Sequence, residues 1–402
     1  MRLIHTSDWH LGRFLHGVDL LEHQAAYLDH LVDLVRDERP AAVLVCGDVY
    51  DRAVPPVGAV QLLEESLIRL AEATQVIVIS GNHDSATRLG FGSKLMRPEI
   101  KLFTRLSQVG QAVTVPDPDG GPGALVYPVP FLDVYAAAEG FSSQENSVAR
   151  SHEAVFAAAA KRIRADLARR GLAAPPAPAG HAQLGSDRPA VVAMAHALVV
   201  GGEPSESERD LTVGGIATVP AGVFELIDYV ALGHLHGPQR IAAAESQLIR
   251  YSGSPLAFSF SEARQVKSTA MVRLEPGGPR TELIPAPVPR PMAQVEGTLA
   301  ELESRRFDPV AQNWLMVTVT DQSRPDNMTG RIARRFPHAL VTRHLRAGPA
   351  GTAATGRVTA ASDPLQVVAD FLEYAGGTPA TDAEQQEIRK ALEAVGRARG
   401  EL

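Results

Sequence analysis

The sequence predicts an α/β fold whose functional residues lie at the carboxyl ends of parallel strands. Two observations point to it. From residue 1 to 79, short apolar runs rich in β-branched residues alternate with amphipathic helical stretches in the order strand, helix, strand, helix, strand, an order that implies parallel pairing through crossover helices. Each of these strands then runs straight into a polar cluster, and in such sheets ligands bind beyond the carboxyl ends.

The first strand, Leu3-Ile4-His5-Thr6, leads into Ser7-Asp8-Trp9-His10-Leu11-Gly12. A helix is expected from Leu20 to Arg36, with Leu21, Leu28, Leu31, Val32 and Val35 on one face and Pro40 ending it. The strand Ala42 to Cys46 leads into Gly47-Asp48-Val49-Tyr50-Asp51. After a helix from Val57 to Thr74, the strand Val76 to Ile79 leads into Ser80-Gly81-Asn82-His83-Asp84, where the glycine permits a sharp turn with close backbone approach. Beyond Pro98 the pattern loosens. Short strands are expected around Val113 and at Ala124 to Tyr127, and an Ala-rich helix from Ser151 to Arg170. Residues 171–189 are Pro/Gly-containing with almost no large apolar side chains and read as a flexible insertion. Strands resume at Ala190 to Ala195, ending in His196, and at Asp228 to Leu232, ending in Gly233-His234-Leu235-His236. Ile249 to Gly253 and Ser268 to Leu274 read as a hairpin closing a first domain, residues 1–288. A small β-α-β-α-β unit over residues 289–346, a Gly/Ala/Thr linker over 347–361 and two helices within 362–402 complete the chain. Leu365, Val368, Ala369 and Leu372 on the first of these helices, and Ile388, Leu392 and Val395 on the second, form apolar stripes of the kind that seek a helical partner.

At 402 residues, two or three domains are expected. A composition of 45% hydrophobic and 21% charged residues is that of a globular protein. No apolar run approaches the roughly 18 residues of a membrane span, and the N-terminus lacks a signal peptide's apolar region. With the lone Cys46 inside an apolar run, the expectation is a cytoplasmic protein. The net charge of −7 argues against an unaided nucleic-acid binder. Two divalent cations would add about four positive charges at one spot and reverse that argument locally.

Five clusters follow strand-like runs: Asp8-x-His10, Gly47-Asp48-x-x-Asp51, Asn82-His83-Asp84, His196 and His234-x-His236. Carboxylates, imidazoles and an amide without thiolate suit Mn²⁺, Fe²⁺ or Zn²⁺. They exceed what one ion needs, and two ions about 3.5–4 Å apart sharing a carboxylate fit the count. His5, His16, His23, His30, His152, His181, His338 and His344 belong to no such cluster and read as structural or surface residues.

These clusters resemble the calcineurin-like metallophosphoesterases, whose pattern is DxH, GDxxD, GNHD, a lone His and GHxH. Flanking stretches narrow the resemblance, across the whole chain, to the nuclease subunits of bacterial ATP-regulated nuclease complexes: His5 to Gly12, Gly81 to Ser85, Tyr251-Ser252-Gly253-Ser254-Pro255, Ser259 to Ala263, Lys267-Ser268 and Arg290-Pro291. The resemblance implies a helix-flanked β-sandwich with a small α+β capping domain and C-terminal helices that grip the ATPase. It implies Asp8, His10 and His236 on one metal, most often Mn²⁺, and Asn82, His196 and His234 on the other, bridged by Asp48. His83 would stabilise developing charge or protonate the leaving oxygen, with Asp84 orienting its ring and water activated by the ions as nucleophile. Archaeal and eukaryotic relatives carry histidine where this chain has Asp51. Asp51 is read either as a carboxylate holding a ligand histidine or as a turn residue. Arg13, Arg88, Lys94 and Arg97 are candidates for DNA phosphates. No G-x-x-x-x-G-K-[ST] loop is present, so ATP chemistry must come from a partner, for which the resemblance implies a coiled-coil ATPase, together with a dimer of the nuclease. The competing readings are a stand-alone metallophosphodiesterase on a small nucleotide or lipid, and a binding scaffold on an inactive fold. The small domain and terminal helices favour the nuclease.

Overall fold

The computed structural model describes the chain except residues 145–146, 173–187, 209–217, 244–246, 346–362, 377–380 and 400–402. The insertion read at 171–189 and the linker at 347–361 fall almost wholly or wholly outside the described residues. The chain divides into two units, Met1–Gln294 and Val295–Leu402.

In the first unit, in chain order, lie β1 (Arg2–Thr6), α1 (Leu21–Glu38), β2 (Ala42–Cys46), α2 (Val57–Ala71), β3 (Gln75–Ile79), β4 (Ile100–Phe103), β5 (Val113–Val115), β6 (Ala124–Val129), α3 (Val134–Phe141), α4 (His152–Arg169), β7 (Ala190–His196), β8 (Tyr229–Gly233), β9 (Gln239–Ile241), β10 (Leu248–Tyr251), β11 (Ser268–Glu275) and β12 (Gly278–Pro285). They form two six-stranded sheets, ordered β12-β11-β1-β2-β3-β4 and β9-β10-β8-β7-β6-β5. The central pairs β1/β2/β3/β4 and β6/β7/β8/β10 are parallel, with antiparallel strands at the margins.

Three apolar layers explain why the strands read as continuous hydrophobic runs. Between the sheets, Leu3, Leu44 and Ile77 meet Val126, Val192 and Tyr229. Outside the first sheet, Val43, Val45, Val76 and Val78 pack on Leu28 and Leu31 of α1 and Leu63 and Leu67 of α2. Outside the second, Tyr127, Val191 and Val230 pack on Phe156, Ile163 and Leu167 of α4. A strand buried on both faces has no polar alternation to show.

One expectation is corrected. Ile249 to Gly253 and Ser268 to Leu274 are not a hairpin: β10 lies in the second sheet beside β8, and β11 in the first beside β1. β11 instead turns forward into β12 through Pro276-Gly277, pairing Glu275 with Gly278. Pro276 fixes φ at the start of the turn, and Gly278, at φ 104°, takes the left-handed backbone that closes it.

In the second unit, the strand entering from the first, Met292–Gly297, forms a three-stranded sheet with Trp314–Val319 and Ala339–His344. Leu315, Val317 and Val319 are buried, as are Met328, Ile332 and Phe336 on and just after the helix Met328–Arg335. The terminal helices, Pro364–Gly376 and Asp382–Arg399, pack on each other. Leu365, Val368, Ala369, Ile388 and Leu392 are half-buried, while Phe371 is 63% exposed.

Candidate metal centre

The five polar clusters, far apart in sequence, meet at one end of the sandwich. Asp8, His10, Asp48, Asn82 and His83 arrive from the first sheet, and His196, His234 and His236 from the second. The loops that deliver them are held in unusual backbone. Asp8 (φ 54°), His10 (φ 45°), Asp48 (φ 47°) and His234 (φ 107°) are left-handed without being glycine, a costly state kept where the surroundings over-determine it. Gly47 and Gly233 make room: a Cβ on Gly47 would stand 2.5 Å from His196 Nδ1, and one on Gly233 would overlap the carbonyl oxygen of Cys46.

Three overlapping triads have donor atoms within 4.8 Å of one another: Asp8–His10–His236, His10–Asp48–His83 and Asp8–Asp48–His196. A second convergence lies on Asn82 Oδ1, which is 2.8 Å from His196 Nε2 and 3.3 Å from His234 Nδ1. Asp48 stands between the two groups, its Oδ2 3.7 Å from His10 Nε2 and 3.5 Å from His196 Nε2.

The donor chemistry calls for cations. His196 Nδ1 faces the Cys46 carbonyl at 2.9 Å and must donate to it. Its Nε2 then offers a lone pair to the acceptor oxygen of Asn82, a repulsion that a proton or a cation between them relieves. His10 Nε2 and His236 Nε2 likewise face each other at 3.1 Å. In the metal-free protein burial drives the imidazoles of His10 and His234 down to about 3. For His196 burial acts the same way but is outweighed by Asp48, Asp8 and the Cys46 carbonyl, which lift it to about 9. That proton does part of what a cation would do. Burial also pushes the Asp8 carboxyl up to about 6, against the pull of His196 and His236. The residues therefore fit divalent cations.

The remaining candidates fall as follows. Asp84 does not orient the His83 ring. Its carboxylate accepts the backbone N–H groups of Val49 (3.1 Å), Tyr50 (2.9 Å) and Gly81 (2.9 Å), tying the second and third motif loops together. The ring is held by the Asp51 carbonyl, which takes the Nδ1 proton at 2.7 Å. His83 Nε2 lies 4.0 Å from Asp48 Oδ2, with the side chain 10% exposed at the mouth of the cluster. The Asp51 carboxylate is 3.6 Å from His10 Nδ1 and 3.1 Å from Arg13, so it faces a candidate ligand and a cation at once. Arg13 also reaches the Ser207 carbonyl and lies 4.9 Å over the Phe258 ring, which makes it part of the wall. Arg88 donates to the Ala53 carbonyl at 3.1 Å. Lys94 opens onto a groove with Arg97, Lys101 and Arg105.

Several residues escaped the sequence reading. Buried Gln24, on α1, takes the Gly12 N–H and donates to the carbonyls of Trp9 and His10, fixing the first loop. Ser207, Glu208, Glu262 and Lys267 surround His236.

Comparison with known proteins shows the family. The calcineurin-like phosphoesterase family model matches residues 1–238, and the type 5 capsule protein repressor C-terminal domain matches residues 288–376. The SbcD subunit of the SbcCD nuclease of Staphylococcus saprophyticus is 31% identical over 344 residues, 85% of this chain and 84% of that protein. Among solved structures, a Thermus thermophilus protein (14% identity, 70% of this chain and 98% of that one) and a dimetal phosphatase from Danio rerio (13%, 71% and 99%) each align with a TM-score of 0.39. Among the described residues no helix is long and apolar enough to cross a membrane. With its polar clusters converging on one buried Asp/His cluster and its likeness extending from the first strand to the first terminal helix, the chain belongs to the calcineurin-like phosphoesterases and, within them, to the SbcD nuclease subunits.

Proposed function

We propose that the chain is the Mn²⁺-dependent nuclease subunit of a complex with an SbcC-like coiled-coil ATPase, cutting DNA ends and single-stranded or hairpin DNA in repair, recombination and replication. The observation that carries this reading is the meeting of two donor groups on Asp48, in a chain related over most of its length to the SbcD subunit of an SbcCD nuclease. Asp8, His10 and His236 would hold one cation, Asn82, His196 and His234 the other, and Asp48 both. When bound, such a pair supplies Lewis acidity toward a phosphodiester and a water nucleophile near neutral pH.

The protein's own part is arrangement. The His83 amide N–H donates to Asp48 Oδ1 at 2.8 Å, so the bridge and the catalytic imidazole are set by one short segment. With the Nδ1 proton given to the Asp51 carbonyl, Nε2 is the nitrogen facing the cluster, and it is from there that the ring, as imidazolium, can give a proton to a leaving oxygen. Lys94, Arg97, Lys101 and Arg105 line a groove whose walls contain no acid, which supports a track for DNA phosphates. A homodimer is supported by apolar side chains left open to solvent: Phe91 and Leu95 are 84% and 90% exposed, around a hollow shared with Val60 and Ile68.

The test is cleavage of linear duplex and hairpin DNA by the purified chain with Mn²⁺, with and without its ATPase. Cleavage of both, altered by ATP only with the partner, is expected. Turnover of small phosphodiesters with no action on DNA in either state would replace this reading by a stand-alone phosphodiesterase.

A further inference from the structure

Behind His236 lies a buried polar knot that none of these roles uses. Glu262 and Lys267 have side chains 0% and 2% exposed and form an ion pair at 2.5 Å. Burying two charges costs more than their attraction returns unless further hydrogen bonds complete the pair. Here those bonds converge on His236. Glu262 Oε1 accepts the hydroxyl proton of Ser207 and lies 3.4 Å from His236 Nδ1. The Ser207 oxygen is 2.7 Å from the same nitrogen. The Lys267 ammonium shares its three N–H donors among four oxygens within reach, Glu262 Oε2, the His236 carbonyl at 3.0 Å, Ser254 Oγ at 3.0 Å and Gln265 Oε1 at 2.8 Å. Glu208 accepts the His236 backbone N–H at 2.8 Å. Ring, carbonyl and amide of this one histidine each have a dedicated partner.

The proton order follows. A carboxylate can only accept, so the Ser207 hydroxyl spends its hydrogen on Glu262 and presents a lone pair to His236. Nδ1 must therefore carry the ring proton, and Nε2 is left as a lone pair turned toward His10 and Asp8. Lys267 holds both the carboxylate that reads the ring and the carbonyl of the residue that bears it.

We propose that Ser207, Glu262 and Lys267 are positioning residues that fix His236 as its Nδ1–H tautomer and hold Nε2 as a donor to one of the two cations. The proposal rests on the reading of His236 as a metal ligand. Partners that orient a ligand histidine typically govern metal affinity by about 10–100-fold, and here the effect falls on one position only.

Mn²⁺ alone is the probe, titrated into the cation-free full chain by calorimetry and electron paramagnetic resonance. The variants are Ser207→Ala, the double variant Glu262→Gln/Lys267→Met, which leaves no lone buried charge, and His236→Ala. The wild type is expected to bind two ions and His236→Ala to lose one. Ser207→Ala and the double variant should each weaken one of the two affinities, by roughly 10–100-fold for the double variant, and leave the other unchanged. Should the double variant fail to fold, Ser207→Ala, at a half-buried position with the ion pair intact, decides alone. Wild-type affinity at both positions overturns the proposal. So does equal weakening of both alongside a lower melting temperature of the cation-free protein, which marks a merely structural pair. If His236→Ala itself binds two ions with native affinity, the ligand assignment beneath the proposal fails, a result distinct from either.

Discussion

Replacing Asp84 by alanine tests how the motif loops are held. The carboxylate takes three backbone N–H groups, from Val49, Tyr50 and Gly81, at 2.9–3.1 Å. Burial and the nearby Asp48 raise this carboxyl to about 7 in the cation-free protein, so above that pH it is a charged acceptor, whose hydrogen bonds contribute about 1.5–3 kcal/mol each and do not simply add. Because the side chain is half-buried, water can recover part of the loss. The expected cost is about 3–5 kcal/mol, a large part of an ordinary domain's stability of about 5–15 kcal/mol, and a fall in Tm of roughly 5–8 °C. Asp84→Asn keeps one acceptor oxygen and should fall between wild type and alanine. The assay is thermal unfolding of the cation-free protein, followed by Mn²⁺ titration, since Asp48 and Asn82 sit on the two loops that would part. Melting of Asp84→Ala within about 2 °C of wild type, well below the fall expected for lost charged hydrogen bonds, would refute the assignment and return Asp84 to an ordinary turn residue.

Three further outcomes are expected. His83→Ala should lose about 10²–10⁴-fold in phosphodiester cleavage while keeping both Mn²⁺ ions; loss of an ion would instead make His83 a ligand, as its triad with His10 and Asp48 allows. Burial drives the His5 imidazole down to about 3, with Nδ1 accepting from Tyr229 and Nε2 donating to the Leu232 carbonyl; the unfolded chain therefore takes up a proton near pH 6.5 that the folded chain refuses, stability falls as pH drops from there toward 3, and His5→Gln should flatten that slope in denaturant titrations with chelator present. Truncation after Gly351 should leave a folded protein that still cleaves small phosphodiesters but no longer co-purifies with the ATPase, and undiminished co-purification would remove the docking role from the terminal helices.

What was legible in the sequence was the chemistry and the parallel halves that carry it. Val43-Leu44-Val45 and Val76-Ile77-Val78-Ile79 announce strands because both faces are buried, and the motifs stand at their ends. The division of the strands between two sheets left no local trace. β12 has a broken pattern from Gly278 to Pro285 with no fully buried residue, and β4 is four residues behind a proline; neither carries a long hydrophobic run. The support of His236 was hidden for another reason. Ser207, Glu262 and Lys267 stand up to 60 residues apart and meet only in space. The sole hint was that Ser259 to Ala263 and Lys267-Ser268 belonged to the resemblance without a chemical reason to be there. Asp84 was misread because a carboxylate beside a histidine in sequence invites pairing, whereas the turn sends it to the backbone.

The supply of donors from both sheets has a kinetic consequence. The first sheet's loops bring Asp8, His10, Asp48 and Asn82, but His196, His234 and His236 arrive only once the second sheet has docked. The first sheet is completed only after the whole second sheet, β5 to β10, has been passed: β11, which pairs with β1, and β12 beyond it come from more than 260 residues away. A cation thus meets its full set of donors only at the last stage of assembly. Metal added during refolding should leave the folding rate nearly unchanged and slow unfolding instead, the pattern of an interaction absent from the transition state. In this protein the ions would act as a lock on a finished sandwich rather than as a seed for it.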